Sequence, residues 1–189
     1  MSDRGEPPTD APARATERVR SLVVVHTGDG KGKTSAAMGV VLRAAGHGRS
    51  VAVVQFMKSG RWRTGERVAA ERLGVRWSTI GDGFTWDSDD LERSAEMARA
   101  AWADVRSSIE GGSFDLVVAD EITYAMTWGW IDTGEVVATI ESRPPHVSVV
   151  LTGRDAPQAL VDVADTVSDT APVKHAFERG IAALEGIDY

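Results

Sequence analysis

Eight consecutive residues near the amino terminus carry the kinds of atom that bind phosphate. Three glycines leave the backbone free to curl, so that its N–H groups can point inward at phosphate oxygens. Lys33 supplies a positive charge, and the hydroxyl of Thr34 is a suitable ligand for Mg²⁺. An apolar run precedes the loop and a helical pattern follows it, which is the context of a P-loop. We therefore expect nucleotide contacts from Gly28, Asp29, Gly30, Lys31, Gly32, Lys33, Thr34 and Ser35.

The spacing within this loop differs from the usual P-loop pattern. Four residues normally separate the first glycine from the Gly-Lys pair, whereas here there are three, Asp29, Gly30 and Lys31. Thr27 stands where the first glycine is expected. The shortened loop favours a specialised relative over a generic ATPase. The alternative is a glycine-rich turn with a coincidental Lys-Thr pair.

Two acidic residues follow an apolar segment at 115–119. Asp120 and Glu121 stand at the carboxyl end of this predicted strand, which is where ligands bind in α/β folds. We expect the strand to lie beside the one that precedes the loop, so that the carboxylates face a Mg²⁺ ion held by Thr34. The alternative is a pair of solvated acids that cap the next helix. The sequence leaves open which acid reaches the metal.

Further candidates lie in loops. Phe84 and Trp86 stand two residues apart and could form an apolar plate for a flat ligand, although aromatic side chains usually pack in the core. Arg154 follows a strand at the same edge as the glycine loop and could pair with phosphate, and Lys58 is interpreted in the same way. Each cation could equally be an ordinary surface residue. Three other residues are interpreted as structural: His175, Trp128 and Trp130.

The elements that must position these residues alternate along the chain. Apolar runs predict strands at 22–25, 51–56, 75–80, 115–119, 147–152 and 165–168. Apolar residues at helical spacing predict helices at 36–45, 65–73, 88–109 and 133–142, with a short helix after Pro157. This alternation is typical of a three-layer α/β fold with a mostly parallel central sheet. With the glycine loop after the first strand, it predicts the P-loop NTPase (RecA-like) type.

Composition limits the remaining possibilities. The 189 residues are 42% hydrophobic and 26% charged, which is typical of a globular domain. The net charge of −7 argues against general nucleic-acid binding, and the lack of cysteine excludes disulfides and thiolate-bound metals. No signal peptide or membrane span is recognisable, so a cytoplasmic location is expected. We expect 1–20 to be a flexible segment and a candidate active-site lid, followed by one domain at 21–189.

Several segments resemble one enzyme family, the P-loop type of ATP:cob(I)alamin (corrinoid) adenosyltransferase. The shortened loop, the Gly-Phe-Thr-Trp segment at 83–86 and the carboxyl-terminal segment are together specific for it, and the resemblance covers 24–189. The family often has Thr where this chain has Ser35, and the amino-terminal tail differs most. The other matching segments are 54–58, 119–124, 143–146, 151–154, 172–177 and 186–189.

The resemblance implies a transferase reaction instead of phosphoryl transfer. In this family a Co(I) corrinoid attacks the 5′ carbon of ATP, the triphosphate leaves, and the loop surrounds the γ-phosphate. Lys33 would then stabilise the leaving group together with Mg²⁺ (or Mn²⁺). Phe84 and Trp86 match the aromatic pair that crowds the lower face of the corrinoid before reduction.

The resemblance also implies a homodimer and a reduced flavoprotein of the flavodoxin type as electron donor. Two alternatives remain: a small-molecule kinase or ATPase on the same fold, and a non-catalytic carrier of nucleotide or cobalamin. Products distinguish the first, because a kinase yields ADP instead of triphosphate, and turnover distinguishes the second. The sequence leaves open whether the corrinoid is complete cobalamin or a precursor.

Overall fold

The computed structural model describes residues 18–58, 64–81 and 91–189. The strands are β1 (Val23–Thr27), β2 (Val51–Phe56), β3 (Arg76–Ile80), β4 (Leu116–Asp120), β5 (Ser148–Thr152) and β6 (Thr166–Asp169). The helices are α1 (Lys33–Gly46), α2 (Gly65–Arg72), α3 (Leu91–Glu110), α4 (Ile122–Thr127), α5 (Thr133–Glu141) and α6 (Gln158–Val163). A short 3₁₀ turn, Phe177–Arg179, follows in the carboxyl-terminal segment.

The strands form one sheet in the order β3–β2–β4–β5–β1–β6, with every neighbouring pair parallel. The predicted α/β fold is therefore confirmed. The expectation that the acid-bearing strand lies beside β1 is wrong, because β5 pairs with both β1 and β4 and separates them. Helix α1 spans this separation, since it packs on β1, β5 and β4. It thereby carries the end of the glycine loop across to the acids.

Helices cover both faces of the sheet, which gives three layers. On one face, α1 and α2 contribute Ala37, Val41 and Ala70 to a core with the sheet. The other face carries a larger core from α3 to α6, with Trp102 and Leu160 among its members. Strands β2 and β4 are buried along their whole length, as expected for strands covered on both faces. No helix within the described ranges is long and apolar enough to cross a bilayer.

The predicted elements agree with the structure to within about three residues wherever both ends are described. Helix α3 is described from Leu91, and the predicted start at 88 lies outside the described residues. Helix α4 has no counterpart among the predicted helices, because its six residues are too few to show an apolar period. Trp130 packs against the core as expected. The ring of Trp128 contacts that of Trp130 at a tilt of 59°, and Trp128 remains 38% exposed.

Candidate functional site

Neighbouring strands carry polar residues side by side near their carboxyl ends. Two positions before these polar residues, four valines lie side by side on the face of the sheet that α1 covers. They are Val53, Val118, Val150 and Val24, paired in register across four strands. Successive side chains of a strand point to opposite faces of the sheet, so the residues two positions after these valines lie on the same face as the valines. There the register pairs Gln55 with Asp120, and Thr152 with His26. We call these four residues the polar row: Gln55, Asp120, Thr152 and His26.

The carboxylate of Asp120 is fully buried and bonded on both oxygens. Its Oδ1 accepts hydrogen bonds from the hydroxyls of Thr34 at 2.9 Å and Thr152 at 2.7 Å. Its Oδ2 accepts from Nε2 of Gln55 at 2.9 Å and lies 3.6 Å from Nζ of Lys58. A buried carboxylate is tolerated only with such partners. These bonds tie the start of α1 to three neighbouring strands.

Glu121 follows with a left-handed backbone, at a φ of 65°. Side-chain-bearing residues rarely adopt this conformation, and here it turns the chain from β4 into α4. The N–H of Glu121 donates to Oγ1 of Thr152 at 2.9 Å, and its side chain lines a cavity. Burial, and then the charge of Asp120, raises the pKa of the Glu121 carboxyl to about 7, against the opposing charges of Lys58 and Lys33. This carboxyl is therefore sensitive to any added positive charge.

The glycine loop packs tightly against the end of β6. The N–H of Gly30 donates to the carbonyl oxygen of Thr170 at 2.6 Å. A Cβ on Gly30 would come within 2.7 Å of the carbonyl oxygen of Ala171, and one on Gly28 would overlap Oδ1 of Asp169. Gly28 also has a positive φ of 93°. The first half of the loop therefore has no room for side chains at either glycine.

Helix α1 begins directly after the loop without a capping side chain. Gly32 is the N-cap residue, with a φ of 116°, and it has no side chain that could bond to the N–H groups of the first turn. Its carbonyl oxygen accepts the first helical bond from Ala36 at 2.8 Å. N–H groups at such a helix start, together with the helix dipole, favour an anion. This end of α1 suits a phosphate group.

Lys33 folds back along the inside of its own loop. Its Nζ donates to the carbonyl oxygens of Gly28 and Gly30, both at 2.6 Å. Burial, and then the charge of Arg154, lowers the pKa of this ammonium. An ammonium held by carbonyl oxygens can exchange them for phosphate oxygens without leaving the loop.

A cavity of about 290 Å³ opens between the glycine loop, Glu121 and the carboxyl-terminal segment. Its described lining is mostly polar and includes the cations Lys31, Lys33, Lys58 and Arg154. Nη1 of Arg154 lies 3.4 Å from Oδ1 of Asp29, so this cation is also close to an acid of the loop. The concentration of cations and N–H groups suits a polyphosphate ligand.

The carboxyl-terminal segment, 171–189, returns over the glycine loop. Nζ of Lys31 lies 2.5 Å from Oδ1 of Asp188, whose Oδ2 accepts from the N–H of Leu184 at 2.8 Å. The hydrogen bond from Lys31 holds the pKa of the Asp188 carboxyl below its ordinary value. His175 and Ile187 also line the cavity. The end of the chain therefore forms one wall of the site.

Most of the residues singled out from the sequence meet at this cavity. Those in its lining are Asp29, Gly30, Lys31, Gly32, Lys33, Thr34, Ser35, Lys58, Glu121 and Arg154. Two others contact residues of the lining: the carbonyl oxygen of Gly28 accepts a hydrogen bond from Lys33, and Asp120 in the polar row accepts one from Thr34. Phe84 and Trp86 lie outside the described residues.

Sequence reasoning missed several residues of the site. Gln55 and Thr152 bind Asp120, and Tyr124 and Asp188 line the cavity. The signal for the first two is a polar residue that follows a run of apolar residues at or near the end of its strand. His175, interpreted above as structural, lies in the cavity wall.

The oxygen atoms beside the loop form a donor set that fits Mg²⁺. This ion prefers hard oxygen ligands, with one or two carboxylates and the phosphates of a substrate. Thr34 gives its hydroxyl proton to Asp120, so the lone pairs of its oxygen remain for a cation. Glu121 adds a carboxylate in the cavity wall. Within 18–58, 64–81 and 91–189, no cluster of three or more His, Cys, Asp or Glu side chains is placed to hold a metal.

Comparison with known proteins gives the family. Residues 19–189 match the model of the family described as ATP:corrinoid adenosyltransferase BtuR/CobO/CobP. The chain is 41% identical to corrinoid adenosyltransferase CobA of Salmonella typhimurium over 180 residues, which are 95% of this chain and 91% of the relative. It is also 41% identical to the corrinoid adenosyltransferase of Pseudomonas aeruginosa over 172 residues, 90% of this chain and 84% of that relative. The chain therefore belongs to the ATP:corrinoid adenosyltransferase family, whose members are transferases.

Proposed function

We propose that this protein transfers the 5′-deoxyadenosyl group of ATP to the cobalt of a reduced corrinoid and releases triphosphate, as a step in making or salvaging adenosylcobalamin. The observation that carries the proposal is the glycine loop at the start of α1, set over the Thr34–Asp120 pair in a cation-lined cavity. Such a site suits the triphosphate of ATP. The relatives named corrinoid adenosyltransferase supply the reaction class.

This reaction needs no general base from the protein. The electron pair of Co(I) forms the new bond to C5′, the C5′–O bond breaks, and its electron pair leaves on the triphosphate, so that cobalt ends as Co(III). Negative charge therefore grows on the departing oxygen. In this proposal Lys33 and the N–H groups at the start of α1 bind the triphosphate and stabilise its negative charge as it leaves.

We assign the magnesium ligands to Thr34 and Glu121. Bound there, Mg²⁺ would neutralise part of the triphosphate charge. Asp120 is already bonded to three donors, which supports a role in holding Thr34 instead of binding the metal directly. Titration of Mg²⁺ against activity tests this assignment. Glu121→Ala should raise the Mg²⁺ requirement, and an unchanged requirement in this variant would contradict the assignment.

We assign the reduction step to two aromatic residues outside the described ranges. Phe84 and Trp86 match the family pair that excludes the lower ligand of Co(II), which lowers the energy of the orbital that accepts the next electron. A reduced flavodoxin-like protein would supply that electron. Phe84→Ala and Trp86→Ala should therefore lose activity with this donor and recover much of it when Co(I) is made chemically beforehand. Equal losses in the two assays would argue for a role in folding or ATP binding.

The decisive test of the activity is anaerobic incubation of the protein with ATP, Mg²⁺ and chemically reduced cobalamin. We expect the visible spectrum of a cobalt–carbon bond to develop as triphosphate is released. ADP without adenosylated corrinoid would favour a small-molecule kinase or ATPase. Binding of ATP or cobalamin without turnover would favour a carrier.

We also propose that the protein is a homodimer, as the family resemblance implies. Apolar side chains in the carboxyl-terminal segment support this, because Val173, Phe177 and Ile187 are 93%, 80% and 74% exposed. Burial of such groups against a second chain would stabilise the pair. Sedimentation equilibrium should give twice the mass of one chain, and a monomer at every concentration would contradict the proposal.

A further inference from the structure

Thr152 ends β5, the strand that separates the glycine-loop strand from the acid-bearing strand. Its side chain is fully buried. Its Oγ1 donates to Oδ1 of Asp120 at 2.7 Å and accepts from the N–H of Glu121 at 2.9 Å. A hydroxyl has one proton, and an ionised carboxylate and an N–H each have a single possible role, so both bonds have a fixed direction. One side chain therefore holds two consecutive acids.

The two bonds of Thr152 act on different parts of the site. The first fixes the Asp120 carboxylate, which also accepts the hydroxyl of Thr34 at 2.9 Å. The second holds the backbone N–H of Glu121 in a conformation with a φ of 65°, which such a residue rarely adopts unaided. Gln55 supports the other carboxylate oxygen of Asp120 from β2, at 2.9 Å.

We propose that Thr152 is a positioning residue for the metal–nucleotide site. Its hydroxyl sets the placement of Thr34 through Asp120 and the placement of Glu121 through the backbone. The inference rests on the proposed function, because it concerns the same cavity, but it concerns binding of ATP with Mg²⁺ and not transfer to cobalt. Groups that orient metal ligands from behind affect affinity strongly when removed.

The test compares Thr152→Val, which keeps the shape and removes the hydroxyl, with Thr152→Ser, which restores it. Isothermal calorimetry of ATP binding over a series of Mg²⁺ concentrations gives the metal dependence without any corrinoid. We expect Thr152→Val to weaken Mg²⁺-dependent ATP binding about 10–100-fold and Thr152→Ser to recover most of it. Binding of ATP in EDTA should change much less.

Thr139→Val is the matched control. Thr139 is also buried, at 5% exposure, but its hydroxyl donates to a carbonyl oxygen within its own helix α5, that of Glu135, at 2.9 Å. This variant should bind ATP with the wild-type Mg²⁺ dependence. Gln55→Met gives a second arm that leaves Thr152 intact and should also raise the Mg²⁺ requirement.

Two results would overturn the inference. Wild-type Mg²⁺ dependence in folded Thr152→Val would show that the hydroxyl is dispensable. Failure of Thr152→Ser to recover binding, with Gln55→Met at wild-type affinity, would show that the methyl group and its packing matter instead. Failure of the proposed function would be a separate outcome. If the wild-type protein binds ATP with Mg²⁺ but never adenosylates cobalamin, the proposed function is wrong, and the comparison of the Thr152 variants still stands.

Discussion

Lys33 and Glu121 face the same cavity, and burial acts on them in opposite directions. It lowers the pKa of the Lys33 ammonium and raises that of the Glu121 carboxyl. The cause is the same in both, because burial disfavours whichever form is charged. A triphosphate beside Lys33 and a divalent cation beside Glu121 would each favour the charged form. At the residue scale, an anion and a metal bound in this cavity would therefore each favour the charged state of the residue beside it.

Replacement of Lys33 tests the anion half of this arrangement. Lys33→Ala removes an ammonium that lies inside the loop, so kcat with preformed Co(I) cobalamin should fall about 10²–10³-fold. Arg43→Ala removes a cation from the exposed far end of α1 and should keep wild-type turnover. Near wild-type turnover in Lys33→Ala would exclude the loop as the triphosphate site.

Replacement of Glu121 should change how the free energy of unfolding depends on pH. Its folded-state pKa of about 7 lies above the ordinary 4.5, so the native state binds the proton more tightly than the unfolded state. The resulting stabilisation is fully present below pH 4.5 and is lost as the pH rises through 7. In EDTA, wild type should therefore lose on the order of 2–3 kcal/mol between pH 4.5 and 8 relative to Glu121→Gln. Urea unfolding of both proteins measures this, and parallel pH profiles would contradict it.

At the scale of elements, the glycine loop depends on the strand end behind it. The loop is backed by β6 and by the chain that follows it, where Thr170 accepts the bond from Gly30. Helix α1 then leaves the loop and reaches Asp120 through Thr34, 86 positions away in the sequence. The loop, β6 and the start of α1 therefore act as one unit.

Two glycine variants distinguish the effect of a new side chain in the glycine loop from its effect within α1. Gly30→Ala would place a Cβ within 2.7 Å of the backbone oxygen of Ala171, which cannot move aside alone, so ATP affinity and stability should both fall. Gly39→Ala lies within α1, where a new Cβ meets nothing within 4 Å, and should add about 0.4–1 kcal/mol of stability. Thermal unfolding and ATP titration give both quantities. Equal behaviour of the two variants would exclude the packing of the loop as the cause.

The sequence predicts most elements and only part of the site, for physical reasons. Apolar runs indicate buried segments, so the strands can be predicted from the sequence. The order of the strands in the sheet depends on the crossover connections, and no local sequence pattern indicates it. The sequence therefore does not predict that β5 lies between β1 and β4. Asp120 and Glu121 are conspicuous because charges end an apolar run. Gln55 and Thr152 are neutral, and their partnership with Asp120 exists only through the register of the sheet.

At the scale of the whole molecule, the site joins the two ends of the chain. The glycine loop starts near the amino terminus, and the carboxyl-terminal segment covers it through the Lys31–Asp188 ion pair. Because this pair is partly exposed, salt should weaken it. The cavity wall formed by this segment is thus held more loosely than the polar row beneath.

Removal of the Asp188 charge tests this attachment. Asp188→Asn should speed amide hydrogen exchange in peptides that cover 184–189, and added salt should have the same effect on wild type. Asp104→Asn breaks another surface ion pair, with Arg76, and should leave that segment unchanged. Exchange that is the same in Asp188→Asn and wild type would mean that the segment is held by other contacts.

The strand order also determines when the nucleotide site can first exist during synthesis. Among the strands that the structure describes, β1 leaves the ribosome first, yet its two neighbours in the sheet, β5 and β6, leave last. A nascent chain that has emerged as far as β4 can pair β3, β2 and β4, while β1 still has no partner. The contacts of the glycine loop form later still, because Thr170 and Asp188 both follow β6 in the sequence. A stalled or truncated chain therefore carries the phosphate-binding motif but cannot assemble the cavity that would hold ATP.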